Sequence, residues 1–400
     1  MFKKVAICIS FSIFLFGIYD IILLGNLFFP EAYTWTKQLR VLMVVGFLSL
    51  ALSHPRQIKV PKKIVLLFSF FCLIYISRIA VDYIQNDYYY LDKHLVFSHF
   101  MVFCIIPFFS IINTNFNEND LSLISKIFNL FAFLFPIAIY LNFGEYFGNV
   151  TRLDAGVVDD EDSILSPLIL SYNSSIIIGV LSFNLLFNKN SLIRILIYTG
   201  IIIITLIPFS LGASRGSVFT LIVPLIILFL LQFNRKDYLK YIFYTIILFS
   251  LSLNYGNTIV SGIIERFNRS SFFGGGANKD HRAIIWEDSL NQFYNNPIFG
   301  DKLAVDNWDL YPHNLFIETL QATGILGFLP LFILLFFSFK YSIDIIKNNP
   351  KFGWISILFY QAFLQTMFSF SIYGSHFLWP SVALVLVTTS ITKYRPSFRI

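Results

Sequence analysis

Three side chains in this sequence stand where they could do chemistry at a membrane surface: Arg215, Arg282 and His313. Guanidinium groups hold phosphate oxygens in a two-pronged geometry. A neutral imidazole can take a proton from a hydroxyl near neutral pH. Together they suit a site that binds an anionic group and removes a proton from its reaction partner. Arg266, Arg269, Asn314 and Glu318 are secondary candidates. Each residue also has a plainer reading. Arg215 could be a turn residue that reaches the lipid headgroups, Arg282 a snorkelling surface arginine, and His313 a structural histidine bonded to a loop carbonyl. Glu318 could orient His313 or bond a neighbouring helix. Gly324 and Gly327 have the small-residue spacing of a helix-packing face.

These residues flank or fill the one long polar stretch of a very apolar chain, residues 255–327. Of the 400 residues, 56% are hydrophobic and 13% are charged, about half the charge of an ordinary soluble domain. Side chains facing hydrocarbon cannot be charged at tolerable cost. The 48 Phe and 21 Tyr fit lipid-facing packing and interfacial belts. The chain therefore reads as an all-α polytopic integral membrane protein.

A span needs about 20 apolar residues. That ruler gives about twelve transmembrane helices, near 5–28, 38–53, 64–81, 95–112, 122–143, 164–187, 194–212, 216–233, 240–256, 314–339, 354–372 and 375–392. The N-terminal apolar run is too long for a signal-peptide core and is taken as the first span. With the N-terminus inside, Lys and Arg collect in the inner loops, at 3–4, 56–63, 189–194, 235–240, 340–351 and 393–399. Asp82, Asp87, Asp92 and the acidic run 159–162 fall outside. This is the positive-inside pattern, and 113–120 is its acidic exception. Both termini come out cytoplasmic. The net charge of +6 then belongs to inner loops and does not point to nucleic acid. The expectation is a single membrane domain over 1–400 with one large external loop over 257–313, on the same side as Arg215.

Within that loop, 270–280 is Gly-rich but lacks the strand and Gly-Lys-Ser of a phosphate loop. The next stretch has Asp280 as N-cap and Pro297 with Gly300 as stop signals. Ala283, Trp286, Leu290, Phe293 and Tyr294 follow a helical stripe. It predicts an amphipathic helix on the membrane surface. His54, His94, His99, His281 and His376 form no ligand spacing, so no metal site is expected. Cys8, Cys72 and Cys104 all lie in apolar runs. Asp82, Asp87 and Asp92 among tyrosines read as a sugar-binding surface or as an interfacial tyrosine belt.

Taken together, the Ser214-Arg215-Gly216 turn, Arg282-x-x-x-Trp286, Asn296-Pro297-x-x-Gly300, His313-Asn314, Glu318 and Gly324-x-x-Gly327 resemble the bacterial O-antigen polymerase and O-antigen ligase family. The resemblance is specific over 211–217 and 282–327. It departs at Lys302, where the family often carries a second glycine. It implies a glycosyltransferase of the inner membrane that uses undecaprenyl-diphosphate-linked oligosaccharide on the periplasmic face, as donor and acceptor, with no cofactor, metal or nucleotide sugar. Arg215 and Arg282 would hold the diphosphate, and His313 would be the general base. A chain-length regulator protein is an implied partner besides the lipid bilayer. A polymerase is preferred, with an O-antigen ligase as the alternative. A flippase or transporter would carry more ionisable residues at mid-membrane than Asp20 and Arg78.

Overall fold

The computed structural model describes residues 2–29, 31–55, 60–85, 93–146, 166–188, 190–212, 214–232, 281–308 and 310–393. The ninth expected span (240–256), Arg266, Arg269, the Gly-rich 270–280, the acidic run 159–162 and Asp87 and Asp92 lie outside them. The described residues form helices, plus one isolated bridge between Pro55 and Thr114. In chain order the helices are α1 (Phe2–Asn26), α2 (Thr36–Ser53), α3 (Lys62–Gln85), α4 (Leu95–Asn113), α5 (Glu118–Phe143), α6 (Pro167–Phe187), α7 (Leu192–Gly212), α8 (Arg215–Gln232), α9 (His281–Asn295), α10 (Leu315–Asn348), α11 (Gly353–Phe368) and α12 (Leu378–Lys393). Eight of these, α1 to α7 and α10, are long and apolar enough to cross a membrane; α8 and α12 are shorter apolar helices. The chain is thus an all-helical, multi-pass membrane protein.

Two compact units arise from this chain. The first comprises 1–50, 117–269 and 345–361. Its centre is α6, buried along nearly its whole length and lined with Ser171, Ser174, Ser175 and Ser182. Small polar side chains let helix backbones approach closely in lipid. Gly212, which ends α7, shows the limit: a Cβ there would stand 2.4 Å from Pro167 O and 2.5 Å from Ser171 Cβ of α6. Lys3 meets Asp120 at 2.5 Å, and Asp120 also closes a capping box with Asn117 at the start of α5. These contacts give the acidic 113–120 segment a basic partner from the N-terminus. In α1 the helix is interrupted at Leu15 and Phe16, and Asp20 beyond it is buried, its carboxylate making no hydrogen bond among the described residues.

The second unit comprises 51–116, 270–344 and 362–400. Its core is aromatic. Trp379 of α12 lies 5.4 Å from Phe68 and 5.8 Å from Phe71 of α3, and Tyr75 lies 4.7 Å from Phe100 of α4. Such ring pairs add to their area burial by geometry. All the described residues from α9 into α10 belong to this unit.

Candidate active site

The site is built where α9 and the start of α10 meet the C-terminal end of α11. The last carbonyls of a helix have no partner inside it. Here the last two of α11 and the first carbonyl beyond it are taken by residues the sequence had marked out. Asn314 Nδ2 donates to Met367 O at 3.3 Å, Arg282 Nη1 to Phe368 O at 2.8 Å, and His313 Nδ1 lies 2.7 Å from Ser369 O. Arg282 and His313 are thus fixed on neighbouring carbonyls of one chain segment.

Each is held there for local reasons. In α9, Arg282 and Trp286 are four residues apart and so share a helix face. Trp286 Nε1 donates to Pro312 O at 2.7 Å, which ties the residue before His313 to the same face. His313 has φ +56°, the left-handed region that costs a residue with a Cβ free energy. Asn314 then starts α10: its Oδ1 accepts from the amides of Phe316 and Ile317 at 3.1 and 3.2 Å. This is ordinary N-capping, so the His-Asn pair splits its work. Asn314 caps two helix ends, and His313 is bent out of the helix to face Ser369.

The backbone carbonyl can only accept, so the hydrogen on the His313 ring sits on Nδ1. Nε2 is then the ring's acceptor nitrogen. Burial lowers the His313 pKa below its ordinary range; the Ser369 carbonyl opposes this and the charge of Arg282 adds to it. A neutral, Nδ1-protonated imidazole is the form a general base requires. The Tyr311 ring lies 4.3 Å from that of His313 and 5.9 Å from that of Tyr373. Burial pushes the Tyr311 phenol up to about 12; Glu318 raises it further and Arg282 opposes. At neutral pH this neighbour is uncharged.

Glu318 is buried, as a carboxylate inside a span should be. Of the two readings open for it, the structure favours the neighbouring contact. Its oxygens accept from the Ile372 amide at 3.0 and 3.1 Å and from Tyr75 Oη at 3.2 Å. Trp379 Nε1 holds the Ile372 carbonyl from the other side at 3.0 Å. Glu318 therefore fixes the 369–374 turn that carries the carbonyl facing His313, and reaches the imidazole only through that backbone. Sequence reasoning missed this turn. Its one signal was the run of serines in Ser369-Phe-Ser371-Ile-Tyr373-Gly-Ser375 between two apolar stretches.

The loop after α9 is joined to α10 at a break. Gly324 has φ +61° and ψ −162°, outside helical values, and Gly300 has φ +72°. Ile325 N donates to Pro297 O at 2.9 Å, Leu326 N to Ile298 O at 3.2 Å, and Asp301 N to Gln321 O at 2.7 Å. A Cβ on Gly300 would stand 2.4 Å from Thr323 N, and one on Gly324 2.4 Å from Ile298 O. Gly324 is thus more than a packing glycine: it opens the helix to receive the loop. Lys302, where the related pattern carries a glycine, is absent from the positive-φ positions and pairs with Asp306 at 2.6 Å.

Two acidic and basic residues read differently in the structure. Arg78 of α3 donates to Ala322 O, Gly300 O and Asp82 at 3.1, 3.2 and 3.3 Å. Asp82 accepts from Leu303 N at 2.8 Å and is buried. The pair clamps the loop against the break in α10. Asp82 is therefore no part of a sugar-binding surface. In α9, Ile285, Ser289 and Gln292 form the face buried in protein, while Ala283 and Tyr294 of the expected stripe are exposed.

Among the expected site residues, the second unit brings together Arg282, His313, Asn314 and Glu318. Arg215 belongs to the first unit, where it opens α8 and is half-buried. Only two positions separate it from the end of α7, so Arg215 and Gly216, expected in the turn, stand in the first turn of α8. The described residues contain no cluster of three or more His, Cys, Asp or Glu able to hold a metal.

Residues 200–332 match the O-antigen ligase family model. This third of the chain holds Arg215, Arg282, His313, Asn314, Glu318 and both loop glycines, and stops before the 367–374 segment. It supports an O-antigen ligase/polymerase family. No curated protein matches the chain.

Proposed function

We propose that this chain, whose residues 200–332 match the O-antigen ligase family model, is a polysaccharide repeat-unit polymerase of the O-antigen ligase/polymerase family. It would transfer a growing glycan from undecaprenyl diphosphate to the next lipid-linked repeat unit, on the periplasmic face of the inner membrane, with both termini cytoplasmic. The observation that carries the reading is the pair of neighbouring carbonyls that hold Arg282 and His313. A base and a fixed cation stand together, and the base has its tautomer set.

In this reading His313 Nε2 takes the proton of the acceptor sugar hydroxyl as its oxygen bonds to the anomeric carbon of the donor. The bond from that carbon to the diphosphate oxygen breaks in the same step, with inversion. The electron pair leaves on undecaprenyl diphosphate, and the proton stays on the imidazole until solvent removes it. Arg282 offsets charge growing on the leaving oxygen, the kind of fixed counter-charge that supplies much of catalysis. Arg215 is assigned to the same diphosphate from its place in the SRG turn of the matched stretch.

A ligase with lipid A–core as acceptor would use the same residues. Deletion of the gene separates the two. Lipopolysaccharide capped with a single repeat supports the polymerase. Bare core with accumulated lipid-linked polymer overturns it in favour of the ligase. A transporter reading would require flipping of lipid-linked repeats without polymer in liposomes.

A further inference from the structure

The loop between α9 and α10 presents an apolar tip that the chemistry above does not use. Tyr294, Ile298 and Phe299 are 68%, 59% and 67% exposed. The tip is not at the mouth of α10. Its carbonyls bond the amides of Ile325 and Leu326. Those lie about 15 Å along α10 from its first residue, Leu315, by the ordinary helical rise. From that level onward α10 carries its own exposed apolar side chains: Ile325, Leu326, Leu329, Phe332, Ile333 and Phe336. On a helix of this length and apolarity, such a surface faces lipid. The tip and the lipid face of the span therefore begin at one level.

Backbone that is not helical is tolerated at membrane depth only when its polar groups are satisfied by protein. At its junction with α10 this loop meets that condition. Pro297 O and Ile298 O take the amides that the break at Gly324 leaves, Gly300 N bonds Asn296 O at 2.9 Å, and Gly300 O takes Arg78. The side chains of Ile298 and Phe299 that face outward are hydrocarbon, and the exposed Asn295 and Asn296 flank them.

We propose that residues 297–299 are a membrane anchor: the loop enters the leaflet beside the N-terminal half of α10, and Ile298 and Phe299 contact the acyl chains of bilayer lipids. The anchor would hold α9, and with it Arg282, at headgroup depth. A surface helix resting on its own apolar stripe would not need this device.

The test uses the full-length protein with Cys8, Cys72 and Cys104 replaced by Ala. It is reconstituted in vesicles of phosphatidylethanolamine and phosphatidylglycerol and carries a nitroxide on Phe299→Cys or Ile298→Cys. Collision of the label with oxygen, which concentrates in hydrocarbon, is compared with collision with a water-soluble nickel chelate. Leu329→Cys gives the hydrocarbon reference and Glu287→Cys the aqueous one. The account expects both tip labels to match position 329, with oxygen dominant. Nickel-dominated relaxation, as at position 287, overturns it, as does protection from both reagents, which would mean that protein covers the tip. The readout does not depend on catalysis, so its failure is separate from failure of the proposed reaction.

Discussion

Arg282 and His313 lie thirty-one positions apart in sequence, yet they hydrogen-bond to the consecutive carbonyls of Phe368 and Ser369. The helix end that α11 leaves uncapped is what brings them together. A cation is favoured beside helix C-terminal carbonyls, so the place that completes α11 also fixes a guanidinium next to an imidazole.

The electrostatic link between the two gives a pH signature. Burial and then the charge of Arg282 hold the His313 pKa below the ordinary imidazole range. A base works only when neutral, so the acid limb of kcat/KM should fall below that range, with activity lost as pH drops through the His313 pKa. In Arg282→Gln one lowering influence is gone, and the limb should move to higher pH, besides any loss in rate. An unmoved limb in this variant would separate Arg282 from the base. The same lowered pKa bears on folding. Between the folded and unfolded values the unfolded chain binds more protons, so this group makes stability rise with pH in that window.

Glu318→Gln should act on the turn rather than on binding. The amide oxygen can take the place of Oε1, which serves both Tyr75 and the Ile372 amide, but an NH2 group then replaces Oε2 and faces the Ile372 N–H, donor against donor. A buried donor left unpaired costs about 1–3 kcal/mol. The expected result is a lower melting temperature and a lower kcat, with KM for lipid-linked substrate little changed. A purely raised KM would place Glu318 against the substrate instead.

The Arg78–Asp82 pair predicts a coupled stability loss. Removing one partner of a buried ion pair costs about 3–5 kcal/mol, and Arg78 also serves two carbonyls. Arg78→Leu should therefore destabilise strongly in detergent melts. Arg78→Leu combined with Asp82→Asn should cost less than the sum of the single changes, because the second no longer strands a charge. Additive losses would mean that the two side chains act independently.

Gly300→Ala and Gly324→Ala should each damage the junction of loop and helix. Left-handed backbone costs a residue with a Cβ about 1–2 kcal/mol, and the new atom would meet backbone at 2.4 Å in both cases. Loss of folded protein on size exclusion checks this. Gly200→Ala is the control, since its added Cβ meets nothing within 4 Å.

Much of the architecture was legible because lipid makes hydropathy a strong constraint. The helices from α1 to α8 fall on the expected spans, and the expected break at Ser214-Arg215-Gly216 is shorter than read, since the helix resumes at Arg215. Lys3–Asp120 and the Pro55–Thr114 bridge each join segments that the charge pattern assigns to one side. The site was half legible. Arg282, His313, Asn314 and Glu318 could be named from residue type and position. Their partners could not, because those are carbonyls and an amide of 367–372, and backbone groups leave no mark in sequence. Gly324 was misread since a glycine in a helical pattern looks the same whether it packs or breaks. Arg78 was read as a mid-membrane charge and Asp82 as part of a tyrosine-rich outer surface, because the loop groups they bind lie more than two hundred residues away.

The central claim is that His313 removes the proton from the acceptor hydroxyl. Asn is the replacement that tests it best, since Asn tolerates the positive φ of this position while lacking a base. Purified full-length protein, wild type and His313→Asn, would be reconstituted in liposomes with undecaprenyl-diphosphate-linked repeat units, after confirming that both melt alike. The account predicts a polymer ladder with the wild type and a rate lower by about 10²–10⁴ with the variant, the usual worth of a positioned base. Polymer formed by His313→Asn at the wild-type rate would contradict it.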